Sequence, residues 1–265
     1  MQKIRTNLIY PIFIPHKGCP FRCVYCNQFK RKSGINPENQ ESIPLDVVSA
    51  FIKKHTSKPK EIAFYGGSFT CMTQEQINKY FKEITPIIDD DTYFRLSTRP
   101  EAINDEILNH LKQNRVNTIE LGIQSFDDKV LLASKRGYTS QTAINACKLV
   151  LQHGFNLCIQ FLVGLPEEDR NSINENIRLL LSIKPDYVRL YPLIVIKDTE
   201  LENIYQNGGY QPLSVEEAVE ICRLYLSACN SNNIKVIKIG LHSDISKDDI
   251  VAGPYHDRFR ELVGN

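Results

Sequence analysis

Along the 265-residue chain, two kinds of apolar pattern alternate. Short runs dense in β-branched and aromatic residues, bounded by turn residues, predict strands. They are LIYPIFIP (8–15), EIAFYGG (61–67), TYFRLST (92–98), NTIELGIQS (117–125), NLCIQFLVGLP (156–166), DYVRLYPLIVI (186–196) and IKVIKIG (234–240). Between them, apolar residues recur at three- and four-residue spacing, which predicts helices over 45–55, 73–84, 104–114, 140–154, 169–182 and 214–231. Thr73 with Gln76, and Ser214 with Glu217, have the spacing of a capping box, in which side chain and backbone satisfy each other at a helix start.

Strand and helix alternating six or seven times predict parallel strands joined by right-handed crossovers. The strands read as near-continuous apolar runs, as expected when both faces of a sheet are covered. The expected fold is α/β: a partial (β/α)6 TIM-like barrel over 1–240, with 241–265 as a C-terminal extension packed on the same domain. No internal repeat or low-complexity linker points to a second domain. In such barrels chemistry gathers at the C-terminal ends of the strands. Gly66–Gly67, Ser97–Thr98, Gln124 and Gly164 all fall at strand ends, so one rim collects the unusual residues.

Composition narrows the class only a little. A chain that is 42% hydrophobic can build a sizeable core. Lys+Arg 32 against Asp+Glu 31 gives no overall field toward nucleic acid or an anionic membrane. No apolar run reaches the ~18 residues of a membrane span, and the N-terminus lacks the pattern of a signal peptide. The expectation is a soluble cytoplasmic protein. Locally, Lys17, Arg22, Lys30, Arg31 and Lys32 make a basic run, which is either a solvated face or a docking point for phosphate, as in tRNA.

The sharpest feature is GCPFRCVYCN over 18–27, with thiols at Cys19, Cys23 and Cys26. In a cytosolic chain, clustered cysteines more often bind metal than form disulfides. Structural zinc takes four ligands and a closed iron–sulfur cluster four thiolates, so a fourth ligand would come from afar, Cys71 or His16. A three-thiolate site instead leaves one position open for a substrate or cosubstrate. Gly18 and Pro20 suit the turn, and Phe21 and Tyr25 would shield the site. Cys147, Cys158, Cys222 and Cys229 lie in apolar surroundings and read as small core residues.

The CxxxCxxC spacing after a first strand, with Tyr25 before the last cysteine, resembles the radical S-adenosylmethionine (SAM) superfamily. FYGGSFT, IELGIQSFDDKVLLASKRGYT, LVGLP and VRLYPLIVIKDTELENIYQNGGYQPLS extend the resemblance over nearly the whole chain, as do IKVIKIGLHSD and AGPYHDRFRELV. They are most similar to the Elongator catalytic subunit-like branch, without its acetyltransferase domain, and share a segment with the oxygen-independent coproporphyrinogen oxidases. The chain stops soon after GPYHDRFRELVGN, where relatives continue.

The resemblance implies a 4Fe–4S cluster on Cys19, Cys23 and Cys26 that reductively cleaves SAM. The products are methionine and a 5′-deoxyadenosyl radical, which abstracts hydrogen from a C–H bond. It further implies that Gly66 and Gly67 receive the methionine end and that Gln124 and Arg136 contact ribose and carboxylate, with Gln160 a further ribose candidate. Tyr25 and Leu165 line the adenine pocket, and Tyr191 and Pro192 form pocket wall. Ser97 stands where the resembling families carry glutamate; its hydroxyl can hydrogen-bond an ammonium but cannot pair its charge. Implied partners are a reductase or a flavodoxin or ferredoxin as electron donor, with tRNA a candidate substrate. Two other classes stay open: a heme-binding, chaperone-like relative of the coproporphyrinogen oxidases that keeps the cluster without turnover, and a closed structural zinc or iron–sulfur site. His242, Asp244 and His256 carry no assigned role.

Overall fold

The structure, a computed structural model, describes residues 8–14, 18–27, 43–241 and 245–264. The first half of the chain runs β1 (Leu8–Phe13), α1 (Leu45–Lys54), β2 (Lys60–Tyr65), α2 (Gln74–Ile84), β3 (Thr92–Thr98), α3 (Asp105–Gln113), β4 (Val116–Gln124), α4 (Asp128–Ala133) and α5 (Ser140–Gln152). The second half runs β5 (Asn156–Val163), α6 (Arg170–Ile183), β6 (Tyr187–Pro192), β7 (Val195–Ile196), α7 (Glu200–Gln206), α8 (Val215–Ser231), β8 (Lys235–Ile239), β9 (Ile250–Ala252) and α9 (Phe259–Gly264). Both predicted capping boxes form: Thr73 with Gln76 starts α2 and Ser214 with Glu217 starts α8.

β1 to β6 and then β8 pair in chain order, every pair parallel, as a curled half-barrel. Among the described residues β1 and β8 are its edge strands, and Pro11 sits midway along β1. All seven predicted strands are present. The run 186–196 divides in two: β6 ends at Pro192, and Val195–Ile196 leaves the main sheet to pair antiparallel with β9. That ribbon, with α9 against α8 and β8, packs the C-terminal segment onto the barrel.

The outer face of the sheet carries Ile62, Phe64, Phe94, Leu96, Ile119, Leu121, Leu157, Ile159, Phe161, Val188 and Leu190, all buried in one core with the helices. Each such side chain contributes about 1.5–3 kcal/mol on burial. The inner face differs from the expectation of apolar strands. One residue away from the outer set, Glu61, Arg95, Glu120, Gln160 and Arg189 point into the barrel, so these strands alternate with the period of two that opposite faces demand. Closing the curve brings five strands' polar groups within reach of one another, so charges can be buried there in pairs.

Among the described residues no helix is long and apolar enough to cross a membrane.

Candidate cluster and cosubstrate site

The cysteine loop leaves β1 at the C-terminal rim and folds against the segment after β2. Gly18 has φ +88°, and a Cβ there would lie 2.3 Å from the Ser68 carbonyl oxygen, so only glycine lets the two loops touch. Cys19 Sγ and Ser68 Oγ stand 3.4 Å apart. Cys26 N donates to Cys23 O at 3.1 Å, which tightens the turn. Cys23 is buried, while Cys19 and Cys26 are half-buried. Among the described residues no three donors gather as they would around a single ion. A cubane binds each thiolate to a different iron, so its sulfurs need a wider spacing.

Two guanidiniums flank Cys23. Arg136 Nη1 donates to Cys23 Sγ and to Tyr25 Oη, both at 3.1 Å. Its Nη2 donates to Gly122 O at 2.5 Å and its Nε to Tyr138 Oη at 3.0 Å. Arg99 Nη1 reaches the same sulfur at 3.6 Å, and Arg99 also bonds Glu101 and Arg136 O. Burial alone would push the Cys23 thiol up, but Arg136 and then Arg99 outweigh it and lower the pKa toward thiolate. Arg136 is thus buried against the cysteine loop and is no solvated loop charge. Beside it, Gly137 has φ +76°, and the Phe21 ring fills the place a Cβ would take, 2.5 Å away.

The other predicted residues line the same rim at different depths. Gly66 has φ +101°, and its missing Cβ makes room for the chain itself: the Phe13 ring would be 2.8 Å away and Ile14 O 2.9 Å. Gly67 and Ser97 share a small cleft with Ile14, Tyr65 and Met72. Gln124 ends β4 with φ +68°, a left-handed conformation that costs a non-glycine residue of order 1–3 kcal/mol. Its Oε1 is buried without a hydrogen-bond partner, and its Nε2 lies close over Gly122. A strained amide with an unused acceptor at the end of β4 fits a diol of a bound cosubstrate. Tyr25 and Leu165 meet in one small apolar cluster with Val24, Val130, Leu193 and Val195. Gln160 lies deeper, where its Nε2 donates to Glu120 Oε2 at 2.7 Å.

Cys71 sits beside Ser68 and Cys19. Burial and then the Glu101 carboxylate push its thiol up to about 11, the opposite direction to Cys23. His16, Lys17, Lys30, Arg31, Lys32, His242 and Asp244 lie outside the described residues.

Below the rim the barrel holds a charged network. Arg95 bridges Glu61 (Nε to Oε2, 2.9 Å) and Glu120 (Nη1 to Oε1, 2.6 Å). Arg189 Nη2 donates to Glu120 Oε1 at 2.9 Å and to Tyr65 Oη at 2.8 Å, while its Nε stands 2.8 Å from Glu120 Oε2, out of line for a hydrogen bond. Tyr65 Oη donates to Glu120 Oε1 at 2.7 Å. Burial alone would raise the Glu120 carboxyl, but Arg189 and Arg95 hold it at about 2. This network, Arg99 and Tyr138 all escape the sequence reading. The available signal was a lone charge flanked by apolar residues in mid-strand, as in YFRLS, TIELG and YVRLY, and, for Arg99, its place just past a strand end in STRP.

Comparison with known proteins agrees with this geometry. Residues 13–180 match the radical SAM superfamily, and 185–265 match a radical SAM C-terminal domain. The chain belongs to the radical SAM superfamily, whose cofactors are a 4Fe–4S cluster and SAM. Its relatives agree with the Elongator-like branch that its motifs resemble. A tRNA uridine(34) acetyltransferase of Methanocaldococcus jannaschii is 29% identical over 63% of this chain and 31% of its own length. The heme chaperone HemW of Bacillus subtilis is 24% identical over 83% of this chain and 60% of its own length. Among solved structures, Elp3 of Methanocaldococcus infernus has a TM-score of 0.72 at 22% identity, covering 83% of this chain and 57% of that one. The chain thus spans between about a third and two thirds of the curated relatives' length.

Proposed function

We propose that the chain is a radical SAM enzyme, cytoplasmic, that acts on RNA, with tRNA as its substrate class. The observation carrying this is the rim itself: Cys19, Cys23 and Cys26 on one loop, two guanidiniums at Cys23, and the unused acceptor of Gln124. When bound, the cluster and SAM supply a 5′-deoxyadenosyl radical for hydrogen abstraction. The chain's part is to hold and orient them. Cys19, Cys23 and Cys26 are the cluster ligands. Gly67 and Ser97, with Gly66 shaping the turn, receive the methionine end. Gln124 and Arg136 meet ribose and carboxylate, with Gln160 behind them. Tyr25 and Leu165 form the adenine pocket, and the buried apolar cluster around them excludes water. Residues 1–240 work as one unit, with 241–265 packed on it. A reductase, flavodoxin or ferredoxin delivers the electron. The tRNA assignment is supported by the relatives named for a tRNA uridine.

The test is anaerobic reconstitution followed by dithionite and SAM, with and without total tRNA. 5′-Deoxyadenosine should appear, rise with tRNA, and be absent from Cys26→Ala. No product above that control overturns the reading. Ser97 in place of an acid, together with the HemW relative, favours one second reading, a heme carrier without turnover. Tight heme binding with no SAM cleavage would select it.

A further inference from the structure

The interior network is electrically balanced: Glu61 and Glu120 answer Arg95 and Arg189. At the edge of that face, half-buried Lys238 has no such answer among the described residues. In the pairing of β6 with β8, Val188 faces Val236 but Arg189 faces Lys238, so Ile237 is an extra residue on β8. A bulge of this kind re-aims the side chain that follows it. It puts Lys238 on the same face as Arg189, on an edge strand of the half-barrel.

The charges acting on Lys238 are both positive. Burial comes first, then Arg189 from β6, then Arg260 from α9, and all three lower the ammonium's pKa. No carboxylate among the described residues pairs with Lys238 or with Arg260. Arg260 is anchored over the bulge by Nη1 donating to Ile237 O at 3.4 Å, and among the described residues its other nitrogens have no partner. A half-buried ammonium beside two guanidiniums is unfavourable until an anion joins them. Arg189, on the face that Lys238 shares, donates in turn to Tyr65 Oη and to Glu120, which accepts from Gln160.

We propose that Lys238 and Arg260 form a receiving site for an oxyanion of the substrate, a phosphate or a carboxylate, at the open edge between β6, β8 and α9. Arg189 supplies background field while remaining paired with Glu120. The inference rests on reading the barrel interior as the substrate chamber, but its test needs neither turnover nor RNA. Lysines of the cluster-loaded full chain are labelled by reductive 13C-methylation, and the Lys238 signal is identified by its loss in Lys238→Gln. Inorganic phosphate and acetate are titrated separately at constant ionic strength with chloride. The expected result is a saturable shift of the Lys238 signal and a raised pKa, and the tighter of the two anions names the source. Arg260→Gln should weaken that binding about tenfold, the loss of one charge-assisted hydrogen bond. A Lys238 signal that follows only ionic strength, or phosphate binding undiminished in Lys238→Gln, overturns the proposal. Either result leaves the 5′-deoxyadenosine assay to speak separately for the radical chemistry.

Discussion

The two faces of the sheet are one residue apart in sequence and opposite in chemistry. Ile119 points out into helices and is buried by them; Glu120 points in and is buried by arginines. The outer face is held by a non-directional force that many apolar side chains satisfy. The inner face is held by mutual pairing, in which removing one member strands its partners. Stability on the outside therefore depends on volume, and on the inside on charge balance.

The strongest way to break this comparison is at Glu120. Glu120→Leu keeps similar bulk but leaves Arg189 unanswered and Arg95 with Glu61 alone; stability should fall by about 3–5 kcal/mol. Urea denaturation reads it, and a loss below about 1 kcal/mol would mean that charge balance does not govern the inner face. Next is Ile119. Ile119→Ala should cost about 2–5 kcal/mol, yet Ile119→Leu under about 1.5 kcal/mol. Equal costs for the two would show that shape, not volume, rules the outer face.

A smaller effect sharpens the contrast with a buried carboxyl that has no cation. Glu168 Oε2 accepts from Gly164 N at 2.6 Å, and burial pushes its pKa up to about 7, the reverse of Glu120. Its folded pKa lies above the ordinary carboxylate value, so the folded state holds the proton more tightly. That contribution is fully present below about pH 4.3 and is lost as pH rises through about 7. Unfolding at pH 5, 6, 7 and 8 should show a decline of roughly 2–3 kcal/mol in the native protein that is absent from Glu168→Gln. Parallel pH profiles for the two would contradict it.

The long elements could be read from sequence because their periodicity is set locally. The caps at Thr73 and Ser214 are side chain–backbone contacts three residues apart, so the sequence contains the whole motif. α4, α7, α9 and the β7–β9 ribbon could not be read this way: six- and seven-residue helices and two- and three-residue strands hold too few turns to show a period. Tertiary docking fixes them, as when Leu201 N donates to Val24 O at the start of α7. At the site, the cysteines and Arg136 stood out by spacing and motif. The Arg99–Cys23 contact and the Glu120 network did not, because those partners lie 25 to 124 residues apart and only curvature brings them together. Gly66 shows the converse: its requirement for glycine was visible, but the neighbour that imposes it is Phe13.

Among the described residues the open sheet has two margins with no further strand, each a template on which another molecule's strand could grow. Pro11, with no N–H to offer, interrupts one margin halfway along. Lys235 and Lys238 put like charges along the other. A half-barrel left open along its side thereby keeps that side from becoming a seed for aggregation.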